Sequence, residues 1–457
     1  MVKVIIPIAV LLLVVLVKKI PLIGGKIHYA ILIAGILSLV LTNSLAPAHW
    51  GEALLIGGGK LAWVIVLTVV GSIYAECQKR MGTMETVLNA CRARFGRTPK
   101  GLVFVVMFVL CLSGSLLGES VASAVVIGAL VIKNLEELGM NPEEVCATVV
   151  MGCSLGSIMP PVSQASAMAA GIAGLDGAGA DSVLNWTYIT IGICFVLCCL
   201  YICKFFIRVK QIPEDLIPTQ KASQILKSNW KTLVPLVFLA LTVIFRSGFK
   251  IDILNLPFLK AIFDPISKIP VISGFSYAIT QLLYLTIIIS LFYKPVRNQF
   301  GDICTKAVKH VIPTISVQTC AAFMVGAFYV GGQIDATANF LSTLPVSYLI
   351  IGGCFGMCLM GMLVGSQTTT QTTVFTVLAP ALMKSGVKPV STAIAGGHWA
   401  MAGQGLPPAD VVTFAVAGLV SSITGKEVDP VKSMMYSSFM CVCMVVCGLI
   451  FVIGNFA

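Results

Sequence analysis

Apolar runs approaching membrane-spanning length follow one another along almost the whole chain, a succession that no water-soluble fold accommodates. In the first half they lie at Val4–Val17, Ala30–Leu45, Leu54–Glu76, Leu102–Leu112, Val121–Ile132, Val145–Ile158 and Tyr188–Ile207. A polar, basic stretch then intervenes. The second series comprises Leu233–Phe245, Val271–Phe292, Val311–Val330, Val346–Leu363, Thr372–Met383, Thr392–Met401 with Val411–Val420, and Met434–Ile453. A bilayer crossing takes about 20 apolar residues. Only 11% of the 457 residues are charged and 57% are hydrophobic, whereas a soluble chain carries about 25% charged residues. Most of the surface therefore faces something other than water. The expected class is an all-α integral membrane protein.

Val4–Val17 is followed by Lys18 and Lys19 and lacks a small-residue cleavage site, so a retained helix rather than a leader is expected there. The sixteen cysteines follow no metal-ligand spacing; those inside apolar runs, such as Cys198, Cys199, Cys441 and Cys443, read as small hydrophobes. The net charge of +11 lies in loops between apolar runs, where it sets membrane orientation rather than nucleic-acid binding.

Several runs are too short to cross alone. Leu102–Leu112 and Val121–Ile132 flank the Gly- and Ser-rich stretch Ser113–Ser120, which suggests a re-entrant hairpin, tolerated only where protein or a cavity satisfies the backbone. The two halves also repeat. A shift of 247 residues maps Gly114, Gly118, Gly139, Pro142, Gly156, Pro160, Pro161, Ala170 and Gly171 onto Gly361, Gly365, Gly386, Pro389, Gly403, Pro407, Pro408, Ala417 and Gly418. What recurs is the set of residues that bend or cap helices. The expected domains are a first repeat over 1–208 (hairpin near 102–132, broken helix 145–172), a basic linker over 209–231, and a second repeat over 232–457 (hairpin near 346–383, broken helix 392–420).

Lys79, Arg80, Arg92, Arg94, Arg97 and Lys100, and in the linker Lys204, Arg208, Lys210, Lys221, Lys227 and Lys231, place both segments in the cytoplasm. With five crossings per half the second repeat is inverted. Its counterpart of the first basic segment, Gly331–Pro345, contains Asp335 and no Lys or Arg. About ten spanning helices, two re-entrant hairpins and paired inverted repeats are the architecture of a secondary transporter.

Each repeat supplies a hairpin tip and a proline-broken helix, and unwinding there frees carbonyls that coordinate Na⁺ together with side-chain oxygens. Candidate Na⁺-site residues are Ser115, Gly118, Glu119, Ser120, Gly156 and Ser157 from the first repeat, and Gly365, Ser366, Thr368, Gly403 and Gly405 from the second. Candidate substrate contacts are Ser163, Gln164, Gln367, Thr369 and Asp410. Glu119 and Asp410 are carboxylates beside breaks at membrane depth, where an ion is costly and usually functional. The reading leaves open whether each binds a cation, carries a proton or reaches an aqueous vestibule. His398 reads first as a hydrogen-bonded structural histidine and second as a proton carrier; His28, His49 and His310 carry no signal beyond their place near expected helix ends.

At these residues the chain resembles the large membrane subunit of TRAP transporters. Gly118–Gly128, Gly139 and Gly156–Pro161 look like its first signature; Leu378–Leu382, Gly386–Pro389, Pro407, Pro408 and Ala415–Gly418 are similar to its second. The specific motifs cover about a quarter of the chain, and the hydropathy likeness covers nearly all of it. The resemblance implies the ion-transporter superfamily fold, with a scaffold, a mobile two-hairpin transport domain and elevator-type access. It also implies Na⁺ as coupling ion, an organic anion such as a C4-dicarboxylate as substrate, a soluble periplasmic binding protein and a separate four-helix membrane subunit, all at a bacterial inner membrane. This chain has Glu119, Ser123, Val162 and Leu406 where the family usually has Ser, Asp, Ser and Thr. The alternative is a stand-alone carrier of the same superfamily, for dicarboxylates or as an Na⁺/H⁺ antiporter with Glu119 as proton site. A membrane enzyme would need a convergent nucleophile–base pair or a His-Glu-x-x-His motif, which the sequence lacks; a channel fits two occluding hairpins poorly.

Overall fold

The computed structural model describes residues 2–17, 19–21, 26–212, 220–249, 254, 256–269, 272–341 and 343–456. Lys18 and residues 213–219 of the expected linker lie outside the described residues. The first half runs through α1 (Val2–Leu16), α2 (Ile27–Leu41), α3 (Pro47–Met81), α4 (Thr83–Phe95), α5 (Pro99–Leu117), α6 (Ser120–Ser123), a π-helical turn (Ala124–Gly128), α7 (Ala129–Glu136), α8 (Pro142–Ile158), α9 (Gln164–Ile172) and α10 (Gly177–Phe205). The second half continues with α11 (Ala222–Phe249), α12 (Pro257–Ser267), α13 (Ala278–Leu291), α14 (Lys294–Arg297), α15 (Phe300–Val330), α16 (Gln333–Leu341) and α17 (Val346–Val364). It closes with α18 (Gln367–Thr370), a second π-helical turn (Gln371–Phe375), α19 (Thr376–Lys384), α20 (Pro389–Gly405), α21 (Val411–Thr424) and α22 (Pro430–Gly454). Proline opens α3, α5, α8, α20 and α22, where its missing N–H is no loss and its fixed φ suits the first turn.

The repeat seen in the sequence is present element by element. A shift of 247 residues carries α5 onto α17, α6 onto α18, one π-helical turn onto the other, α8 onto α20, and the first residue of α9 onto the first of α21. Both Pro-Pro bonds, Pro160–Pro161 and Pro407–Pro408, are cis. The return legs fold back on their partners. Ser123 donates a hydrogen bond to the Leu110 carbonyl (3.3 Å), and Leu378 packs against Gly353 so closely that a Cβ there would lie 2.7 Å from its side chain. Each hairpin rests on its own broken helix at a glycine pair. A Cβ on Gly114 would fall 2.8 Å from the Gly156 Cα, and one on Gly361 would fall 2.6 Å from the Gly403 Cα. Small residues at such crossings let helix backbones meet without a hydrophobic driving force.

A second group of helices packs around α3 and α15. They cross at Gly57 and Gly326, where an added Cβ would overlap the facing carbonyls of Ala322 and Ala53 (1.7 and 1.8 Å). The 35 residues of α3 extend about 50 Å at 1.5 Å per residue, well beyond the ~30 Å hydrocarbon core. Its basic end, with Lys79 and Arg80, therefore reaches into the aqueous phase or the helix tilts. There α4 packs on α11: Thr83 donates to the Thr232 carbonyl (2.9 Å), and Ala90 and Ala93 bury Ile225. The two basic segments, around Arg92 and around Lys227, thus sit side by side.

Several boundaries differ from expectation. Ser113–Leu117 is helical rather than part of the first tip, because Gly114 lets α5 continue against Gly156; the chain turns only at Gly118. The linker beyond Lys221 is already the start of α11, kinked at Asn229 (φ −115°, ψ 15°). The run read from Val311 begins at Phe300 and passes through Pro313 without a break. Among the described residues six helices (α3, α5, α10, α15, α17 and α22) are long and apolar enough to cross a bilayer. The other expected crossings fall on shorter or broken helices.

Candidate functional site

The hairpin tips turn at Gly118 (φ +67°) and Gly365 (φ +65°), a left-handed conformation that glycine adopts without a Cβ penalty. Each glycine also presses onto the break of its own repeat. A Cβ would fall 2.3 Å from the Val162 carbonyl oxygen at the first tip, and 1.9 Å from that of Ala409 at the second. In the first repeat Ser115 donates to the Pro160 carbonyl, and the Val162 N–H donates to the Ser115 carbonyl (3.2 Å). Beyond the tips the two repeats use equivalent positions with different chemistry. Ser120 donates to Ser157 (2.9 Å); at the matching positions the Gln367 backbone N–H donates to Gln404 Oε1 (2.9 Å).

The helix caps show the same substitution of groups in fixed places. At the hairpins, Glu119 accepts from the Ala122 N–H (3.1 Å), whereas Ser366 accepts from the Thr369 N–H (3.3 Å) and hydroxyl (3.1 Å). At the breaks, Ser163 accepts from the Ser166 N–H (3.1 Å), whereas Asp410 accepts from the Val412 and Thr413 N–H groups (both 3.1 Å) and from the Thr413 hydroxyl. Each repeat therefore carries one carboxylate cap and one hydroxyl cap, at exchanged positions.

Both tips open onto one cavity of about 220 Å³, lined by residues of α6, α9, α18 and α21, by the turn and cap residues of the two tips, and by two facing side chains. Of the residues expected from sequence, Gly118, Glu119, Ser120, Gln164, Gly365, Ser366, Gln367 and Thr368 line it. Ser115, Gly156, Ser157, Ser163, Thr369, Gly403, Gly405 and Asp410 lie outside its lining; all eight are buried in the packing that holds the tips and breaks together. Asp410 is 1% exposed, with its oxygens turned onto its own helix. Among the described lining residues Glu119 alone carries a charge, and the Gln367 Oε1 is buried without a hydrogen-bond partner. The donor set is otherwise neutral oxygen and amide, a composition that suits hard monovalent cations and hydrogen-bonded organic groups.

Three contributors went unrecognised in the sequence. Gln404 lines the cavity from the end of α20 and Thr314 from α15. His310, one turn before Thr314, places its Nε2 3.2 Å from Glu119 Oε2. Glu119, a carboxylate beside a break in the sequence, caps α6 and pairs with a histidine 191 residues away. The helix-end position expected for His310 is corrected, since it lies inside α15. His398 is fully enclosed, with Nδ1 2.8 Å from the Ile394 carbonyl and Nε2 2.8 Å from the Thr190 hydroxyl, a structural placement away from the cavity.

The sequence profile described as "Tripartite ATP-independent periplasmic transporter, DctM component" matches residues 4–456. Among solved structures, the chain is similar to MtrF of Neisseria gonorrhoeae, described with a class of antimetabolite efflux pumps. That match has TM-score 0.61 and 17% identity, and covers 90% of this chain and 84% of that one. It is also similar to the YdaH transporter of Alcanivorax borkumensis, with TM-score 0.60, 16% identity, and coverage of 99% and 96%. At these identities the likeness carries the fold. No curated protein sequence matches significantly.

Proposed function

This chain belongs to the DctM component family of tripartite ATP-independent periplasmic transporters, and from that premise we propose that it is the transport subunit of an Na⁺-coupled importer of an organic anion, C4-dicarboxylate-like, at a bacterial inner membrane. Proteins of this family are secondary-transporter subunits that work with a small membrane subunit and a periplasmic binding protein. The observation that carries the finer reading is the meeting of two register-matched hairpin tips at one cavity lined mostly by neutral oxygens and amides. Half-helix ends and unwound carbonyls at such a junction serve ions and carboxylates in secondary transporters.

The caps favour one end of the site for an anion over the other. The N-terminal N–H groups of α21 are already taken by the Asp410 carboxylate, so that end repels further negative charge. The N-terminus of α9 is capped by neutral Ser163 and presents Gln164 to the cavity; its dipole favours an anion. The substrate carboxylate therefore belongs at the Gln164 end. Na⁺ belongs between each tip and its own break, near Ser120 and Ser157 in one repeat and near Thr368 and Gln404 in the other. Coupled movement of the two-hairpin body against α3 and α15 would carry the cavity from one face to the other.

The test is uptake of labelled C4-dicarboxylates into proteoliposomes holding both membrane subunits, with the binding protein outside, under inward Na⁺ gradients and without them. Uptake indifferent to Na⁺ would refute the coupling. Equal uptake without the binding protein would instead favour the stand-alone carrier.

A further inference from the structure

Glu119 and His310 come from different repeats and different helix groups. Glu119 is at the tip of the first hairpin, and His310 is on α15, which packs with α3. Their contact also lies between two cavities. Glu119 lines the tip cavity, His310 lines a second cavity of about 260 Å³, and Val121 lines both. The second cavity runs along the seam between the hairpin and the α3–α15 pair, past Glu76, Lys79 and Lys306. A third, of about 370 Å³, continues from it past Lys79 and Glu85 and shares Ala75, Leu117 and Val125 with it. These adjoining cavities thus run from the tip toward the basic end of α3, and the histidine–carboxylate contact lies where the first two adjoin.

We propose that His310 and Glu119 form a latch, with His310 as a positioning residue that holds the first hairpin tip against α15 and closes the junction between the tip cavity and the seam. This rests on the transport reading above. A contact of 3.2 Å survives only while tip and helix keep this register, so any sliding of the hairpin along α15 must break it. The latch therefore weights the conformation in which it is formed. Both partners are partly exposed, at 55% for the His310 side chain and 36% for Glu119. A pair of that exposure shifts a two-state population by up to about fivefold.

The test compares Glu119→Gln, His310→Gln, the double Gln variant, and the exchanged pair Glu119→His with His310→Glu, in reconstituted uptake. Each single variant should change the maximal rate by up to about fivefold and in the same direction. The double Gln variant should be no further from wild type than either single one, as for groups acting as a unit. The exchanged pair should return to within about twofold of wild type, with half-saturating Na⁺ unchanged throughout. A second readout does not need transport: Thr314→Cys, followed by peptide mass spectrometry, should react with a water-soluble maleimide faster when either partner is Gln. The latch is overturned if Glu119→Gln shifts half-saturating Na⁺ while His310→Gln does not, which would make Glu119 an ion ligand. Additive single effects, or unchanged rates and labelling in every variant, also overturn it. Should the unaltered protein take up nothing, the transport reading fails, and the labelling alone decides the latch.

Discussion

Replacing Gly365 by alanine combines two separable costs, and neighbouring glycines allow them to be measured apart. At φ +65° an L-residue loses roughly 1–2 kcal/mol to left-handed backbone geometry. The new Cβ would also lie 1.9 Å from the Ala409 carbonyl oxygen. That oxygen is backbone in a helix break, so it cannot swing aside as a side chain would, and forced overpacking adds about 1–3 kcal/mol. Gly365→Ala should therefore destabilise by roughly 2–5 kcal/mol. Gly386 isolates the first cost: its φ is +94° but a Cβ would meet nothing within 4 Å, so alanine there should cost only about 1–2 kcal/mol. Gly352, inside α17 with open space around it, should tolerate alanine with a gain of up to about 1 kcal/mol from helix propensity. Unfolding of the purified protein in detergent, followed by thermal melt and denaturant titration, ranks the three. If Gly365→Ala proved as mild as Gly386→Ala, the tip would not be pressed onto the break, and the account of how the cavity is built would fail.

Other expectations follow from the same geometry. Removing the Ser120 hydroxyl, or that of Thr368, should raise half-saturating Na⁺ several-fold while expression and melting change by about 1 kcal/mol, the worth of one hydrogen bond; unchanged Na⁺ activation in both alanine variants would count against the assigned ion positions. Asp410→Ala leaves the Val412 and Thr413 N–H groups without their acceptor and should cost roughly 1–2 kcal/mol in a melt, with Asp410→Asn milder because an amide oxygen still caps. Single cysteines at Arg94 and Asp335 should react with impermeant maleimide from opposite faces of sealed vesicles, and reaction from the same face would end the inverted arrangement.

The sequence carried the backbone plan well because that plan is written in residues with rigid geometric consequences. The two Pro-Pro pairs cannot be continued as plain helix and so mark the breaks in the sequence, and Gly118 and Gly365 fall where the chain turns at the tips. Length was less legible. Ser113–Leu117 looked like a loop by composition, yet Gly114 makes room for helix to continue against Gly156. The polar start of α15, with Lys306, Lys309 and His310, looked like a helix approach, although the helix begins at Phe300. The pairing of His310 with Glu119 was out of reach, because only the packing of α15 beside the hairpin brings residues 191 apart together. The candidate residues of the break walls, such as Gly403 and Gly405, were found for their backbone role; their place behind the cavity surface depends on packing that spacing does not encode. The π-helical turns after α6 and α18 likewise left no residue signature that was read.

The exchanged caps have a bearing on the resting state. A machine assembled from two identical modules facing opposite ways would look the same to an ion or solute arriving from either side, and its two resting postures would be degenerate. Here duplication has kept the joints and redistributed the acids: Glu119 opposite Ser366, Ser163 opposite Asp410. Glu119 faces the tip cavity while Asp410 is turned onto its own helix, so any two postures related by exchange of the halves would present different groups and differ in energy. A few kcal/mol of such inequality would leave one posture almost exclusively occupied at rest, which decides the state in which an empty carrier waits while the gradients alone decide the direction of net flux.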